Sequence, residues 1–300
     1  MGKRITIDPI TRLEGHGKID ILLDDSGAVE ECFFQVPELR GFEKFAEGRP
    51  VEEMPRITTR ICGVCPEAHL MASAKAGDAV YGVTIPATAR KIRELQYRMF
   101  VERQQSLLIV LQAPDAAGKD GLIRRVLGRM NPQGCRTYPF KAPTEQELAH
   151  DFLWRIHKCT PAKGMVSIFN RSHYEDVLVA RVKQLVPKKI WSKRFEIINR
   201  FEENLFLSGT KILKFYLHVS PEEQLKRFAK RLENREKHWK LNLADYAARD
   251  DWDAYNEAYE DVFSRCNPNH APWYVIPADR KWYRDASIAA IVQQALHEMD

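Results

Sequence analysis

Residues 106–121 read Ser-Leu-Leu-Ile-Val-Leu-Gln-Ala-Pro-Asp-Ala-Ala-Gly-Lys-Asp-Gly. The first seven, Ser106 to Gln112, form an almost unbroken apolar run with no polar alternation, the pattern of a strand buried on both faces of a parallel sheet. Small residues, a glycine and a lysine follow at once, and a helical pattern runs on from 119 to 129. Strand, loop and helix in that order are the setting that a phosphate-binding loop requires. Successive backbone N–H groups and the helix N-terminus make an anion cradle there, and Lys119 supplies a mobile cation. The match to G-x-x-x-x-G-K-[ST] is imperfect, because Ala113 replaces the first glycine and Asp120 the Ser/Thr. The expected phosphate contacts are Ala116, Ala117, Gly118, Asp120 and Gly121. A plain turn with a solvated lysine is the structural alternative. A carboxylate beside phosphates repels them unless Mg²⁺ sits between, and Mg²⁺ takes one or two carboxylates plus phosphate oxygens. Asp115 therefore either holds Mg²⁺ or positions the attacking oxygen; Asp120 either joins it or caps the helix.

Further apolar runs follow at 165–169, 212–219 and 273–276, with helical stretches at 144–157, 173–183, 190–208, 221–235 and 281–297. Strand and helix alternating over ~200 residues indicate one α/β domain with helices on both faces of the sheet. Ligands gather beyond the carboxyl ends of such strands. The segment Asn170-Arg-Ser-His-Tyr-Glu175, directly after a buried run, should thus face the first loop. Arg171 can stabilise charge on a transferred phosphoryl group. Ser172 either contacts phosphate or caps the next helix, His173 reads as a packed or solvated histidine rather than a catalyst, and Glu175 is a metal-side, nucleotide-side or first-turn acid. Residues 226–240 are strongly basic, and Lys226, Arg227, Lys230 and Arg231 recur at spacings that share a helical face. With a phosphate loop upstream, they read as a helical lid that closes on oxyanions and excludes water.

Upstream of residue 95 the character differs. Lys18–Asp24 and Ala28–Val36 alternate like strands around Asp25-Ser26-Gly27, a hairpin signal. Helical patterns follow from Pro66 to Gly82 and from Pro86 to about Arg103. The charge is uneven: residues 1–95 carry 13 Lys+Arg against 15 Asp+Glu, and residues 96–300 carry 33 against 26, within a total of +5. The basic part is the better candidate for a polyanionic ligand. The 44% hydrophobic and 29% charged fractions are those of a folded globular protein. No apolar run approaches the ~18 residues that span a bilayer, and the N-terminus lacks a signal core, so a cytoplasmic protein is expected, with neither membrane nor nucleic acid as partner. Six cysteines are too sparse for a disulfide scaffold; Cys62 and Cys65 form a C-x-x-C, a metal or redox pair.

Residues ~96–300 resemble the type 2 polyphosphate kinase family, in particular its class acting on nucleoside mono- and diphosphates. The segments that carry the likeness include Leu107–Gly121, Asn131-Pro-Gln-Gly134, Phe140-Lys-Ala-Pro143, His150–His157, Phe169–Leu178, Glu236–Lys240 and Ala271–Asp279, with Lys281-Trp-Tyr-Arg284 near the end. The resemblance implies a P-loop kinase-like parallel sheet flanked by helices with a helical lid. It also implies Mg²⁺-dependent phosphoryl transfer between inorganic polyphosphate and a nucleotide (AMP, ADP or ATP), without a covalent intermediate, in a homo-oligomer. By match, Asp115 and Lys119 belong to the first motif and Asn170 and Arg171 to the second. Arg227, Arg231, Lys237 and Lys240 are the lid cations that would grip polyphosphate.

Residues ~1–95, a small α+β fragment, resemble the start of the metal-bearing large subunit of nickel–iron hydrogenases, through Ile7–His16 and Arg60-Ile-Cys-Gly-Val-Cys-Pro-Glu-Ala-His69. That likeness makes Cys62 and Cys65 half of a four-thiolate centre and Glu14 a proton relay beside it. No second C-x-x-C exists; Cys32, Cys135, Cys159 and Cys266 stand alone. Two thiolates cannot close a four-thiolate site, so hydrogenase activity is not expected, and Cys62 and Cys65 read as vestigial ligands, with His69 beside them. The seam is expected near 90–96. Two alternatives to the polyphosphate reading remain: a nucleoside monophosphate kinase that uses ATP on the same loop, and a non-catalytic metal-binding module built on Cys62/Cys65.

Overall fold

The computed structural model describes residues 3–11, 15–36, 41–240 and 246–300; Glu14 and the side chains of Lys237 and Lys240 lie outside the described residues. The chain divides into two compact units, Met1–Thr84 and Ile85–Asp300.

The first unit opens with three antiparallel strands, β1 (Arg4–Ile7), β2 (Lys18–Leu23) and β3 (Val29–Gln35), in the order β1-β2-β3. The hairpin between β2 and β3 forms as its turn residues require. Asp24 Oδ1 accepts from the backbone N–H of Ser26 and of Ala28, each at 2.9 Å, and Gly27 takes φ 87°. Asp20 on β2, opposite Thr6, is buried and accepts from Arg4 Nη2 and Thr6 Oγ1, both at 2.6 Å. Three helices follow: α1 (Phe42–Ala46), α2 (Met54–Thr58) and α3 (Pro66–Val80), the last started by Pro66.

The second unit begins with its own helix, α4 (Ala87–Glu102), whose buried stripe is Ile92, Leu95, Gln96 and Met99. The backbone N–H of Asn131 donates to Gln96 Oε1 at 2.9 Å, and a Cβ on Gly134 would lie 2.5 Å from Gln96 Nε2. The helix is therefore packed into the α/β core. The boundary between the compact units falls ahead of it, between Thr84 and Ile85.

Five parallel strands make the sheet: β4 (Ser106–Gln112), β5 (Cys135–Pro139), β6 (Val166–Asn170), β7 (Thr210–His218) and β8 (Trp273–Pro277), in the order β5-β6-β4-β7-β8. Every residue of central β4 is buried. Its side chains alternate between two cores. Leu107, Ile109 and Leu111 pack with residues of α4, of α5 (Lys119–Arg125) and of the C-terminal helix. Leu108 and Val110 pack with Phe169, Phe195, Ile198 and Val262 on the other face. The continuous apolar run thus marks a strand covered on both sides.

Several helical stretches are shorter than the periodicity indicates. Residues 144–157 break into α6 (Glu145–Leu148) and α7 (Trp154–His157), where Asp151 Oδ1 takes the Leu153 N–H at 3.0 Å and opens a new turn. Residues 173–183 split into a 3₁₀ turn, His173–Asp176, and α8 (Val179–Val182). Then come α9 (Lys188–Leu207), α10 (Pro221–Glu233), α11 (Trp252–Arg265) and α12 (Lys281–Glu298).

Behind the sheet lies a fully buried polar hub. Lys214 Nζ on β7 donates to Glu202 Oε2 at 2.6 Å, to Tyr174 Oη at 2.9 Å and to the Cys266 carbonyl at 2.9 Å. Glu202 Oε1 also accepts from Tyr174 Oη at 2.8 Å and lies 3.2 Å from His173 Nε2. Burial alone would raise the Glu202 pKa, but Lys214 and His173 outweigh it and keep the carboxyl below its usual value. His173 is thus a packed residue of the second core.

Lys214→Met leaves a carboxylate buried without its ammonium, and urea unfolding of that variant is expected to show a loss of about 3–5 kcal/mol. In the first unit, hydrogen bonds from Arg4 and Thr6 lower the Asp20 pKa to about 2 from 3.8. The sheet therefore keeps this contribution above pH 3.8 and loses it as pH falls through about 2. Amide exchange of Arg4–Ile7, followed against pH, should accelerate in that window for the wild type and lose this step in Asp20→Asn.

Candidate active site

Strands β4 and β6 are neighbours, in register from Leu107↔Val166 to Leu111↔Asn170. Their carboxyl ends therefore deliver two loops side by side, 113–118 and 170–172. One more hydrogen bond extends the ladder, from Arg171 N–H to the Leu111 carbonyl at 3.1 Å. Arg171 adopts φ 64°, a left-handed conformation that costs a non-glycine residue energy and that here turns the chain back over the strand ends. Its Nη2 donates to Asp115 Oδ1 at 3.0 Å, and Asn170 Nδ2 donates to Asp120 Oδ1 at 3.2 Å. The two loops expected to face each other do so.

Within the first loop Ala116 (φ 62°) and Gly118 (φ 98°) are both left-handed. At Gly118 the constraint is also steric, because a Cβ would sit 2.3 Å from Arg284 Nη1. Arginines hold this loop by its carbonyls. Arg284 Nη1 donates to Ala117 O at 2.8 Å; Arg227 Nη1 donates to Ala116 O and Ala117 O, both at 3.1 Å. Arg227 Nη2 also ties Ala278 O at 2.6 Å and Asp279 O at 2.9 Å. Gln224 Nε2 on the same helix, α10, donates to Asp115 O at 2.9 Å. Lys119 Nζ donates to Ala113 O at 3.0 Å.

Electrostatics follow from this crowding. Burial lowers the Lys119 pKa, with Asp115 opposing. Burial raises Glu175, against the pull of Arg171 and Lys119. Burial also works against the charge of Arg171, but Glu175 and Asp115 outweigh it and its pKa rises. Arg284 is lowered by burial, Asp285 opposing.

Two cavities meet at Asp115 and Arg171, which line both. One is a cleft of cations: Lys119, Arg125, Lys230, Arg231, Lys281 and the edges of Arg227 and Arg284. The other is aromatic, lined by Tyr216, Trp252, Tyr255 and Tyr259, with Glu175 and Gln224 as polar groups. Burial pushes the Tyr255 hydroxyl up to about 12.

Of the residues singled out from sequence, Asp115, Ala116, Gly118, Lys119, Asp120, Gly121, Asn170, Arg171, Arg227 and Arg231 all border the cationic cleft. Ala117 lies behind it, buried, and offers its carbonyl to the arginines. Ser172 is fully buried and accepts from Tyr174 N at 3.2 Å, a cap and not a phosphate contact. Glu175 lines the aromatic cavity. The lid differs in one respect: α10 ends at Glu233, and Arg227 is not one of a row of surface cations but a buried brace of the loop. Arg284, Lys281, Arg125 and Gln224 were not among the sequence candidates. Neither was α11, although Trp252, Tyr255, Tyr259 and Val262 recur at helical spacing and carry the signal. Cys62 and Cys65 belong to the first unit.

Residues 76–300 match polyphosphate kinase 2, residues 4–39 match a HoxL-like description, and residues 40–106 match nickel-dependent hydrogenase. The chain is 51% identical over 207 residues to the AMP/ADP-polyphosphate phosphotransferase of Meiothermus ruber, a match that covers 69% of this chain and 78% of that one. The crystal structure of polyphosphate kinase 2 from Arthrobacter aurescens TC1 superposes with a TM-score of 0.68 at 43% identity, over 71% of this chain and 77% of that one. The N-terminal part is 53% identical over 114 residues to an iron-sulfur subunit of the F420-non-reducing hydrogenase of Archaeoglobus profundus; the match covers 38% of this chain and 24% of that one. With three quarters of its length matched and the paired loops in place, the chain belongs to the polyphosphate kinase 2 family.

Proposed function

We propose that this protein transfers the terminal phosphoryl group of inorganic polyphosphate to AMP and ADP, and runs the reverse reaction. One observation carries the reading: Asp115 and Arg171 stand where a cationic cleft meets an aromatic pocket. Polyphosphate is a dense polyanion without distinguishing shape, and a row of Lys and Arg suits it better than a shaped hole. A nucleoside needs flat apolar walls with a few polar groups. The phosphoryl group then crosses between them at the shared edge.

In the transfer, an oxygen of the nucleotide phosphate forms a bond to the terminal phosphorus. The bond from that phosphorus to its bridging oxygen breaks, and the shortened chain leaves with the negative charge. The protein has little covalent work to do; positioning and charge stabilisation suffice. Lys119 and Arg171 neutralise the moving group, and the Arg171–Asp115 pair keeps the guanidinium aimed at the junction. Asp115 orients the acceptor phosphate. The arginine brace keeps the loop in shape while charged ligands come and go. Mg²⁺ fits this donor set: Asp115 and Asp120 offer hard oxygen ligands on the wall of a phosphate cleft. Bound there, Mg²⁺ would neutralise phosphate oxygens. We place the enzyme in the cytoplasm as a homo-oligomer; among the described residues no helix is long and apolar enough to cross a membrane.

Incubation of ADP with polyphosphate in the absence of ATP tests the reading: new ATP is expected, whereas a kinase that needs ATP as donor stays silent. Lys119→Ala and Asp115→Asn should each lower kcat by at least about 100-fold with an unchanged unfolding transition. Turnover within a few-fold of wild type in either would remove that residue from the mechanism. The KM for polyphosphate should rise with ionic strength more steeply than the KM for ADP.

A further inference from the structure

The first unit holds a feature that phosphoryl transfer does not use. Cys62, Cys65 and His69 each bring one ligand atom within 4.8 Å of the other two, and all three are half-buried. The local fold explains the convergence. Cys65 stands at the N-cap of α3 and Pro66 starts the helix, so His69 follows one turn later on the same side as Cys65. The Val64 N–H points to Cys62 Sγ at 3.4 Å and fixes the turn between the two cysteines. Thr58 Oγ1 on α2 donates to the His69 carbonyl at 3.3 Å and fastens that turn to the preceding helix.

A second, independent observation concerns packing. The helices α1, α2 and α3 bury no residue, and among the described residues no apolar side chain before Ile92 is buried. Ile61, Val64, Leu70 and Met71, next to the cluster, are exposed. A unit of this size without an apolar core lacks the burial that stabilises a small fold, and such units are commonly stapled by a metal.

We propose that Cys62, Cys65 and His69 bind one zinc ion and that this ion is the staple of the first unit. Two sulfurs and one imidazole nitrogen form a borderline-soft donor set that suits Zn²⁺ and excludes Mg²⁺ or Ca²⁺. Bond lengths of about 2.3 Å to sulfur and about 2.0 Å to nitrogen put tetrahedral ligand atoms some 3.5–3.8 Å apart, so closure requires movement of only about 1 Å. Water takes the fourth position. On binding, the two thiols release their protons to solvent; nothing is oxidised or reduced. The site differs in ligands and metal from the four-thiolate centre of the hydrogenase family, which this chain cannot assemble. Binding free energy at such a site is folding free energy, and it joins the loop 62–65 to α3.

The test uses the full chain, purified under reducing conditions, stripped with a chelator, incubated with Zn²⁺ and dialysed. Elemental analysis should give about one zinc per chain, falling below about 0.1 in Cys62→Ser and in Cys65→Ser. His69→Ala should lose zinc to a competing chelator at least about tenfold more readily than wild type. Limited proteolysis read by mass spectrometry supplies the second measurement: zinc should protect cleavage sites within residues 1–84 and leave those within 85–300 unchanged. The latter sites also report whether each variant has kept the fold of its second unit. A wild-type chain that retains less than about 0.1 zinc, a Cys62→Ser chain that retains its full complement, or cleavage in residues 1–84 indifferent to zinc would overturn the proposal.

Discussion

The parallel pairing of β4 with β6 is the constraint from which the site follows. Hydrogen bonds fix the register to the last residue, and the Arg171 N–H caps the ladder on the Leu111 carbonyl. Given that register, the loop bearing Asp115, Lys119 and Asp120 must emerge beside the loop bearing Asn170 and Arg171. The left-handed turn at Arg171 then becomes useful: it aims a guanidinium at Asp115 that an ordinary extended residue would send along the strand. Slippage of the ladder by one residue would reverse every side chain of β6, moving Phe169 from one core into the other.

Charge on this scaffold is handled in two ways. Inside, Lys214 and Glu202 form a closed circuit with Tyr174 and His173, so that a lysine on a core strand does not destabilise it. Tyr174 and His173 lie just past Arg171, so the hub also anchors the base of the second loop. Along the cleft, cations outnumber the acids that line it. Arg227 and Arg284 belong to both worlds. Their buried guanidinium groups hold backbone carbonyls of the first loop, and both residues lie along the wall of the cleft. Peptide planarity means that a captured Ala117 carbonyl turns the Gly118 N–H to the opposite side, so carbonyl capture fixes which way that donor points.

Much of this was readable from the chain. An apolar run without alternation located β4, and small residues plus Lys119 located the loop, because both signals are local. The edge strand β5 gave no such signal: Cys135–Pro139 is mostly exposed and carries polar residues, since one side has no neighbour. Arg284 was hidden for another reason. Its partner is Ala117, 167 residues away, and no local pattern distinguishes a buried arginine from a solvated one. Arg227 was recognised as important but assigned to a lid, because helical spacing shows which residues share a face and not what that face meets. The aromatic wall on α11 was legible in principle, as Trp252, Tyr255 and Tyr259 repeat with helical period, yet high local charge obscured the pattern.

Helix α4 carries a broader consequence. It supplies Ile92, Leu95 and Met99 to the same core as β4 and closes against the turn at Gly134. The second unit therefore brings its own front wall to that core. The two family likenesses overlap along this helix, so any exchange of sequence that reaches past Pro86 must preserve these apolar positions or unpack the core.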